Sequence, residues 1–333
     1  MAKTWLKKLS LPVLAMLFIY YASNDPNVAT QNLVDTMTNQ ENVPQVNLLD
    51  EEYYAVYALH ESDHIVKTYV SKQEESDPVL AVFEFLTTKS NQLPIGTTSL
   101  ISPMTRLIDY SIEEEVLTLN LSKEFLTYDP QAEQQVLESL VWSFTEIPGI
   151  ERVKFEIENE PVSNLNGALA VGRGLTRDMG VNLELDTASL DNTQLVTVYF
   201  MTDDSQNAML VPVTRLIPNS VDPIDYAVNA LIQGATSKDY ISVFDHQTTL
   251  LSSPTIQDGL ISLNFSSELY YDQNQTLVSS LMLKQLVMTL TEFDEIESVS
   301  VAINGNMKVL DDASRSVVIP TSRMNFEPVK DAN

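Results

Sequence analysis

The heptapeptide Leu-Asn-Leu-Ser-Lys-Glu-Phe occupies residues 119–125, and Leu-Asn-Phe-Ser-Ser-Glu-Leu occupies residues 263–269, an offset of 144 residues. One similar heptad would be weak evidence, but matched pairs continue in the same order on both sides of it. Their offsets drift only from 142 to 146: Val56-Tyr57 with Val198-Tyr199, Asp77-Pro78 with Asp222-Pro223, and Thr145-Glu146 with Thr291-Glu292. The sequence therefore predicts two tandem copies of one folding module.

Each copy contains the same succession of strand and helix signals. A first strand rich in β-branched and aromatic residues precedes a helix with aspartate at the N-cap and proline at the first helical position. Two strands, a second amphipathic helix and a closing strand follow, at residues 98–102, 116–121, 136–144 and 153–157 in copy one and 248–252, 260–265, 282–290 and 299–303 in copy two. The predicted fold class is α+β, with two β-α-β-β-α-β modules of the split βαβ type. Such a module packs two helices on one sheet face and leaves the other face open.

Composition limits the classes of protein to which the chain can belong. With 333 residues, of which 44% are hydrophobic, the chain can bury more than one core. Its net charge of −27 repels phosphate backbones, so no nucleic-acid partner is predicted. The absence of cysteine excludes disulfides, a thiolate metal site and an anchor through a lipid-modified cysteine.

The N-terminus is typical of a membrane signal. Lys3, Lys7 and Lys8 precede the uncharged, mostly apolar run at residues 9–22, an arrangement that keeps the first residues in the cytoplasm while the rest crosses. Tyr20 and Tyr21 crowd the only plausible cleavage site, which favours an uncleaved anchor over residues 1–23, although a removed signal peptide stays open. The polar residues 24–51 are predicted to form a flexible linker. The remaining boundaries are predicted at 52–162 (first module), 163–193 (inter-module segment), 194–310 (second module) and 311–333 (tail).

One motif raises the possibility of an enzyme. The stretch His60-Glu61-Ser62-Asp63-His64 satisfies H-E-x-x-H, in which a helix places both imidazoles on one zinc ion and the glutamate acts as base. Glu84 lies at a distance where some zinc proteases keep a third ligand. The flanking β-branched and aromatic residues favour strands joined by a hairpin turn, and copy two has Asp203-Asp204-Ser205 at this place. We expect a turn, with a zinc hydrolase or a cell-surface ligand- or metal-binding protein as the alternative function.

No catalytic, cofactor-binding or metal-binding residue is predicted, and five residues are candidates for structural or interface roles. Arg177 and Arg323 share the 146-residue offset, and each is predicted to pin the tail of its module by pairing with a carboxylate or carbonyl. Solvated charge is the alternative for both. Tyr128, Tyr270 and Tyr271 follow the third predicted strand in each copy, where they fit either interface anchors or core residues.

The pattern resembles the GerM family, whose members carry two tandem GerMN modules. The resemblance covers roughly residues 52–327. It rests on the two Leu-Asn-Leu/Phe-Ser strands, on the helix end at 286–292 with the following Ile296-Glu297-Ser298-Val299, and on the inter-module Gly172-Arg173 and Gly180-Val181-Asn182-Leu183-Glu184. Typical members look like lipoproteins attached through a cysteine, and this chain has none.

By this resemblance, the modules are expected to be similar to ring-building domains of secretion machines. The family acts in sporulation and germination, within the complex that joins mother cell and forespore. The expected protein is therefore a non-catalytic assembly protein held at the cell membrane, with an extracytoplasmic ectodomain in the intermembrane space. Its expected partners are other envelope or sporulation-channel proteins, in a ring-type homo- or hetero-oligomer, and no cofactor is expected.

Overall fold

The computed structural model describes residues 53–72, 77–167, 169–185, 191–203, 208–272, 274, 276–306 and 308–326. Residues Glu51–Asn333 belong to one compact unit. The predicted anchor at 1–23 and the predicted linker at 24–51 lie outside the described residues. Among the helices of the described ranges, none combines the length and the apolar character that crossing a bilayer requires.

The elements of the first copy repeat in the second. The first half contains β1 (Tyr53–His60), β2 (Ile65–Ser71), α1 (Pro78–Leu86), β3 (Thr97–Thr98), β4 (Leu107–Glu113), β5 (Val116–Leu121), α2 (Glu133–Phe144), β6 (Arg152–Ile157) and β7 (Glu160–Pro161). The inter-module segment contributes β8 (Glu184–Leu185). The second half contains β9 (Thr193–Thr202), β10 (Leu210–Pro218), α3 (Pro223–Gln233), β11 (Tyr240–Ile241), β12 (Thr255–Gln257), β13 (Leu260–Phe265), β14 (Leu277–Val278), α4 (Ser280–Leu290), β15 (Ser298–Ile303) and β16 (Leu310–Asp311).

The strands of each module are divided between two sheets. In the first module, β4, β5, β6 and β7 form one sheet, in which β5 and β6 are parallel and α2 connects them. In the second module, β12, β13 and β15 form the equivalent sheet. The hairpins β1–β2 and β9–β10 belong instead to one seven-stranded sheet, ordered β11-β9-β10-β2-β1-β3, with β8 paired to β10. This shared sheet physically joins the two modules.

The helix starts follow the sequence prediction. The Asp77 carboxylate accepts a hydrogen bond from the backbone N–H of Leu80 at 2.9 Å, and the Asp222 carboxylate accepts from Ile224 and Asp225 at 3.0 and 2.9 Å. Proline occupies the first helical position in both helices, where no backbone hydrogen bond is lost. Both predicted N-caps are thus confirmed.

The repeated Leu-Asn-Leu/Phe-Ser motif has a structural explanation. In the first copy, Asn120 accepts from the backbone N–H of Asn159 at 3.0 Å, which fixes the turn after β6. Asn264 accepts in the same way from Gly305 at 2.9 Å. The hydroxyls of Ser122 and Ser266 accept from backbone N–H groups of the preceding loop at 3.1 and 3.0 Å. Each motif therefore ties its strand to two neighbouring loops, and side chains of other chemistry would leave those loops unpaired.

Helix α2 protects the edge of strand β1. The Ser143 hydroxyl accepts from the backbone N–H of Tyr57 at 2.8 Å, and the Ser139 hydroxyl donates to the Tyr57 carbonyl at 2.6 Å. In the second module, the Thr289 hydroxyl accepts from the Tyr199 N–H at 2.9 Å. Helix hydroxyls thus replace a neighbouring strand, and the buried backbone groups of β1 and β9 remain hydrogen-bonded.

The two hairpins meet where equivalent strands run antiparallel, as copies related by a two-fold axis do. Lys67 of β2 pairs with Leu210 of β10. At the next position of this strand pair, Pro212 of β10 has no N–H to donate. The side chain of Asn182 therefore takes the place of direct backbone hydrogen bonds between the two strands. It accepts from the Ile65 N–H at 2.9 Å and donates to the carbonyls of Ile65 and Pro212, both at 2.7 Å. An amide from the inter-module segment therefore completes the shared sheet.

The predicted order β-α-β-β-α-β with a single sheet is wrong in detail. The predicted order omits strands β2 and β10. Both strands are buried on both faces, so they lack the alternation of apolar and polar residues that identifies a half-buried strand. Lys67 and Arg215 interrupt their apolar runs as well. The faces of the two hairpins are covered at the module junction, so these sheet faces are not open as predicted.

The strand predicted at residues 98–102 is also wrong, and most of its residues form a loop. The Ser99 hydroxyl donates to the Leu86 carbonyl at 2.5 Å and accepts from the Ile101 N–H at 3.0 Å, which turns the chain locally. The strand that pairs with β5 is β4, at Leu107–Glu113. In the second copy, the predicted strand at 248–252 is reduced to a single bridge between Leu250 and Phe265.

Replacing Asn182 with alanine tests the sheet junction. The substitution removes the hydrogen bonds that Asn182 makes to the Ile65 N–H and carbonyl and to the Pro212 carbonyl. We expect the free energy of unfolding to fall by about 2 to 3 kcal/mol, because buried backbone groups lose their partners. Chemical denaturation followed by circular dichroism measures the change.

Asn192→Ala is the matched control for this substitution. Asn192 also has a positive φ, 58° against 46° for Asn182, but it is exposed. A loss in Asn192→Ala as large as in Asn182→Ala would assign the cost to the left-handed backbone and contradict the role of the amide.

Candidate functional site at the module junction

A cluster of charged and phenolic side chains lies between the two modules, with its tyrosines and lysine buried and its glutamates and arginines partly exposed. It contains matched members from both copies and one unmatched lysine: Tyr57, Lys67, Glu146 and Arg177 from the first half, and Tyr199, Glu292 and Arg323 from the second. The hydroxyl oxygens of Tyr57 and Tyr199 lie 3.0 Å apart at its centre. Tyr57 donates to Glu146 at 2.8 Å and Tyr199 donates to Glu292 at 2.9 Å. We name this set the junction cluster.

Each arginine of the junction cluster contacts the carboxylates of both modules. Arg177 lies 2.6 Å from Glu146 and, through Nη1, 3.2 and 3.1 Å from the two oxygens of Glu292. Arg323 donates to Glu292, and its other Nη lies 3.8 Å from Glu146. The two Nε atoms donate to Thr145 and Thr291 at 2.9 and 2.6 Å. The network therefore crosses the junction in both directions.

The electrostatics of the cluster keep its carboxylates ionised. Burial would raise the pKa of Glu146, but the positive charges of Lys67 and the two arginines hold that pKa well below its usual range. Burial opposes ionisation of Glu292 in the same way, yet Arg323 and Arg177 lower its pKa to about 2. Burial, with Glu146 and Glu292 nearby, raises the pKa of both tyrosines far above the usual value. Burial lowers the pKa of Lys67, and the Glu146 carboxylate opposes this shift.

The inter-module segment is clamped beside this cluster. The Trp142 indole donates to the Gly180 carbonyl at 3.1 Å, and the Arg177 guanidinium lies 4.6 Å from the Trp142 ring centre. The buried Glu138 accepts from the backbone N–H of Asn182 at 3.3 Å and from the Gln134 side chain at 2.9 Å. Burial raises the pKa of Glu138 to about 7. The segment therefore packs as part of the core of the junction.

The five candidate residues have different environments. Arg177 and Arg323 both belong to the junction cluster, opposite carboxylates of the module bodies. Tyr128 is buried in the first core, where its hydroxyl donates to Glu133 at 2.8 Å. Tyr270 is partly buried and accepts from Asn306 at 3.3 Å, whereas Tyr271 is 57% exposed. Of the three tyrosines, Tyr271 alone presents most of its ring to solvent.

The H-E-x-x-H stretch forms the turn between β1 and β2, as the sequence predicted. Nδ1 of His60 lies 2.8 Å from the Ser62 hydroxyl, and Nδ1 of His64 lies 2.8 Å from the Ser62 carbonyl. Glu84 pairs with Lys89 at 2.6 Å. Within the described ranges, no group of three or more His, Asp or Glu side chains is placed to hold a metal ion. The helix that would bring both imidazoles to one zinc ion is not formed here.

Sequence reasoning identified the arginines of the junction cluster and missed their partners. Tyr57 and Glu146 carried a signal, since both recur in copy two, but they served only as markers of the repeat. Identical polar residues in two diverged copies, each within an otherwise apolar segment, could have indicated a shared network. Lys67 has no polar counterpart in the other copy, so its role had no such signal. Asn182 lies in the inter-module motif at residues 180–184, but that motif did not indicate its hydrogen bonds to the sheet.

Replacing Arg177 with alanine tests the junction cluster. The change leaves Glu292 and Glu146 with one cation fewer, and we expect the free energy of unfolding to fall by about 3 kcal/mol. Arg173→Ala, at an exposed arginine of the same segment, should change it by less than about 0.5 kcal/mol. Equal unfolding midpoints for Arg177→Ala and wild type in urea would discard the cluster as a stabilising element.

Replacing Glu138 with glutamine tests the buried carboxyl beside Asn182. Because the folded pKa is raised from 4.5 to about 7, Glu138 contributes stability that is present below about pH 4.5 and lost as the pH rises through 7. Glutamine does not ionise, so the variant does not lose this stability as the pH rises. We therefore expect Glu138→Gln and wild type to have similar stability at pH 5, and the variant to be about 2 to 4 kcal/mol more stable at pH 8. Urea titrations at both pH values check this, and a constant difference would contradict it.

Comparisons with known proteins agree with the duplicated architecture. The family model described as "Germane: Sporulation and spore germination" matches residues 53–163 and 197–309. The "Spore germination protein GerM" of Bacillus subtilis (strain 168) is 30% identical over 243 residues, which is 70% of this chain and 66% of the relative. The chain thus spans just under two thirds of the length of that relative.

A solved structure shares the fold. The structure titled "Tandem GerMN domains of the sporulation protein GerM from Bacillus subtilis" matches with a TM-score of 0.75 and 26% identity, over 81% of this chain and 97% of that chain. The two segments matched by the family model supply most residues of the two largest hydrophobic clusters, one segment for each cluster. The resemblance inferred from the repeated motifs is confirmed: the chain belongs to the Germane family of sporulation and spore germination proteins and carries two tandem GerMN domains.

Proposed function

We propose that the chain is a non-catalytic assembly protein of the sporulation envelope. Its N-terminal segment, at residues 1–23, holds it at the cell membrane, and its ectodomain lies outside the cytoplasm, between mother cell and forespore. The tandem domains bind other envelope or sporulation-channel proteins, as part of a ring-type homo- or hetero-oligomer. No cofactor takes part.

The observation that carries this proposal is the location of the shared polar residues. The tyrosines that both copies retain are buried in the junction cluster, and the glutamates and arginines that both copies retain keep 13 to 25% of their side-chain surface exposed. Groups of these types also serve as acids, bases and oxyanion donors in enzymes, but there they must face a cleft that admits substrate. Here each glutamate and each arginine is engaged in ion pairs that join the modules to each other, which supports a structural role for the duplication.

The joined modules fit the requirements of an assembly component. A shared seven-stranded sheet and an ionic network hold the two domains in one arrangement, so that surfaces on both are presented to partners at a fixed geometry. A preorganised surface binds with less loss of conformational entropy than two tethered domains do. The net charge of −27 favours association with positively charged partners over association between copies of this chain.

Complementation in the organism that encodes the chain tests the proposal. Deleting the gene should lower the count of heat-resistant spores, and expression of the wild-type chain should restore it. A variant with His60→Ala and His64→Ala should restore it equally, because the two histidines lie in a hairpin turn and have no catalytic task. The quantity measured in every strain is the number of heat-resistant spores per viable cell.

Two outcomes would count against the assembly role. Loss of complementation by the double histidine variant, with unchanged protein level and folding, would favour the zinc hydrolase. Full complementation by residues 51–333 in the cytoplasm, without a membrane segment or export signal, would exclude the proposed extracytoplasmic location.

A further inference from the structure

Strand β4 has a free edge. It pairs with β5 on one side, and the other side has no strand partner within the described residues. The turn residues Glu114 and Glu115 have φ of 48° and 65°, which identifies a two-residue hairpin closed by the hydrogen-bonded pair of Glu113 and Val116. Because such pairs alternate, the backbone groups of Tyr110 and Ile112 point away from β5. The Tyr110 N–H donates to the Asp109 carboxylate at 2.8 Å, so the edge offers the Ile112 N–H and the carbonyls of Tyr110 and Ile112 to an additional strand.

The side chains along the β4 edge give it a definite chemistry. Residues alternate between the two sheet faces, so Asp109, Ser111 and Glu113 share one face, and Tyr110 and Ile112 share the other. Asp109, Glu113 and both turn glutamates are exposed. On the apolar side, Ile112 is 47% exposed. A strand placed beside β4 would therefore meet carboxylates on one face and an apolar surface on the other.

The second module closes the equivalent edge. Its outer strand β12 pairs with β13 in the register in which residues 111–113 of β4 pair with β5. The residue before it, Pro254, stands where the first module has Tyr110 and has no N–H to offer a partner. The acidic positions of β4 and its turn correspond to Ser253, Gln257, Asp258 and Gly259, so one of four carboxylates is retained.

The side chains at the two edges indicate the charge of the segment that could pair with β4. Charged side chains and proline are means by which proteins prevent strand edges from pairing with copies of themselves. The second module uses proline, whereas β4 uses carboxylates alone. Carboxylates repel a second copy of this acidic chain, but they attract a strand with positive side chains. The edge of β4 is thus closed to self-association and open to a basic partner.

We propose that β4 receives, by strand addition, an extended segment of a partner protein in which lysine or arginine alternates with apolar residues. The basic residues of this segment face Asp109 and Glu113, and its apolar residues lie beside Ile112. Hydrogen bonds to the Ile112 N–H and to the carbonyls of Tyr110 and Ile112 fix its register. The inference rests on the proposed assembly function and states the chemistry of one partner.

A pair of synthetic peptides tests the edge on the purified full chain in detergent. One decapeptide alternates lysine and valine, and its match alternates glutamate and valine. We expect the lysine peptide, and not the glutamate peptide, to slow hydrogen exchange of the amides in Leu107–Glu113. Equal effects of both peptides, or no protection by either, would overturn the proposal.

Three variants test whether the peptide binds at this edge. Ile112→Pro removes the free N–H of the edge and should weaken binding of the lysine peptide by about tenfold or more, whereas Ile112→Val, which retains the N–H, should bind within about threefold of wild type. The triple variant Glu113→Lys, Glu114→Lys, Glu115→Lys should reverse the preference between the two peptides. Unchanged binding in both the proline and the triple variant overturns the proposal, even where one of them folds poorly.

The same variants separate this inference from the proposed function. In the complementation assay, Ile112→Pro should lower the count of heat-resistant spores and Ile112→Val should not. If the gene deletion lowers the count and Ile112→Pro fully restores it, the strand addition is excluded while the assembly role stands. If the deletion itself leaves the count unchanged, the proposed function fails first.

Discussion

The structure depends on the pairing of two carboxylates with arginines that come from elsewhere in the chain. Glu146 and Glu292 stand at the ends of helices that pack into separate cores, and neither could remain ionised there without nearby cations. Arg177 supplies charge to both carboxylates, and Arg323 completes the set. The cost of leaving either carboxylate unpaired forces the modules, the inter-module segment and the C-terminal tail into one arrangement.

The strands of each module are divided between two sheets, and both sheets contribute to the core of their own module. One sheet in each half contains a parallel strand pair joined by a helix. The hairpins β1–β2 and β9–β10 pack residues into the cores of their own modules and also form a common sheet at the junction. The two copies differ here: Lys67 stands where the second copy has Pro212, and the Asn182 side chain bonds to the Pro212 carbonyl and to the backbone of Ile65. The junction therefore tolerates asymmetry because the inter-module segment compensates for it.

Much of the fold could be predicted from the sequence because the repeat doubled each weak signal. The aspartate and proline helix starts and the alternating apolar residues of β5 and β13 each occurred twice at nearly constant spacing. Strand β2 was indicated only by the β-branched and aromatic residues beside the predicted hairpin turn, and β10 was not found, because both faces of these strands are buried by tertiary contacts that produce no local alternation. For the site, the paired arginines were recognised from their common offset. Asn182 was noticed only as part of the motif at residues 180–184, and Lys67 belongs to no motif, because the contacts of both residues depend on long-range geometry.

The reciprocal contact between the modules has one more implication. Each module presents an arginine and a carboxylate and receives the complementary pair from its twin, so the association is of the closed, face-to-face kind that saturates at two members. Within the described residues, both carboxylates of this surface are already shared by the two arginines of the chain. A further copy would therefore have to attach at another surface, with the two-domain body as one building block.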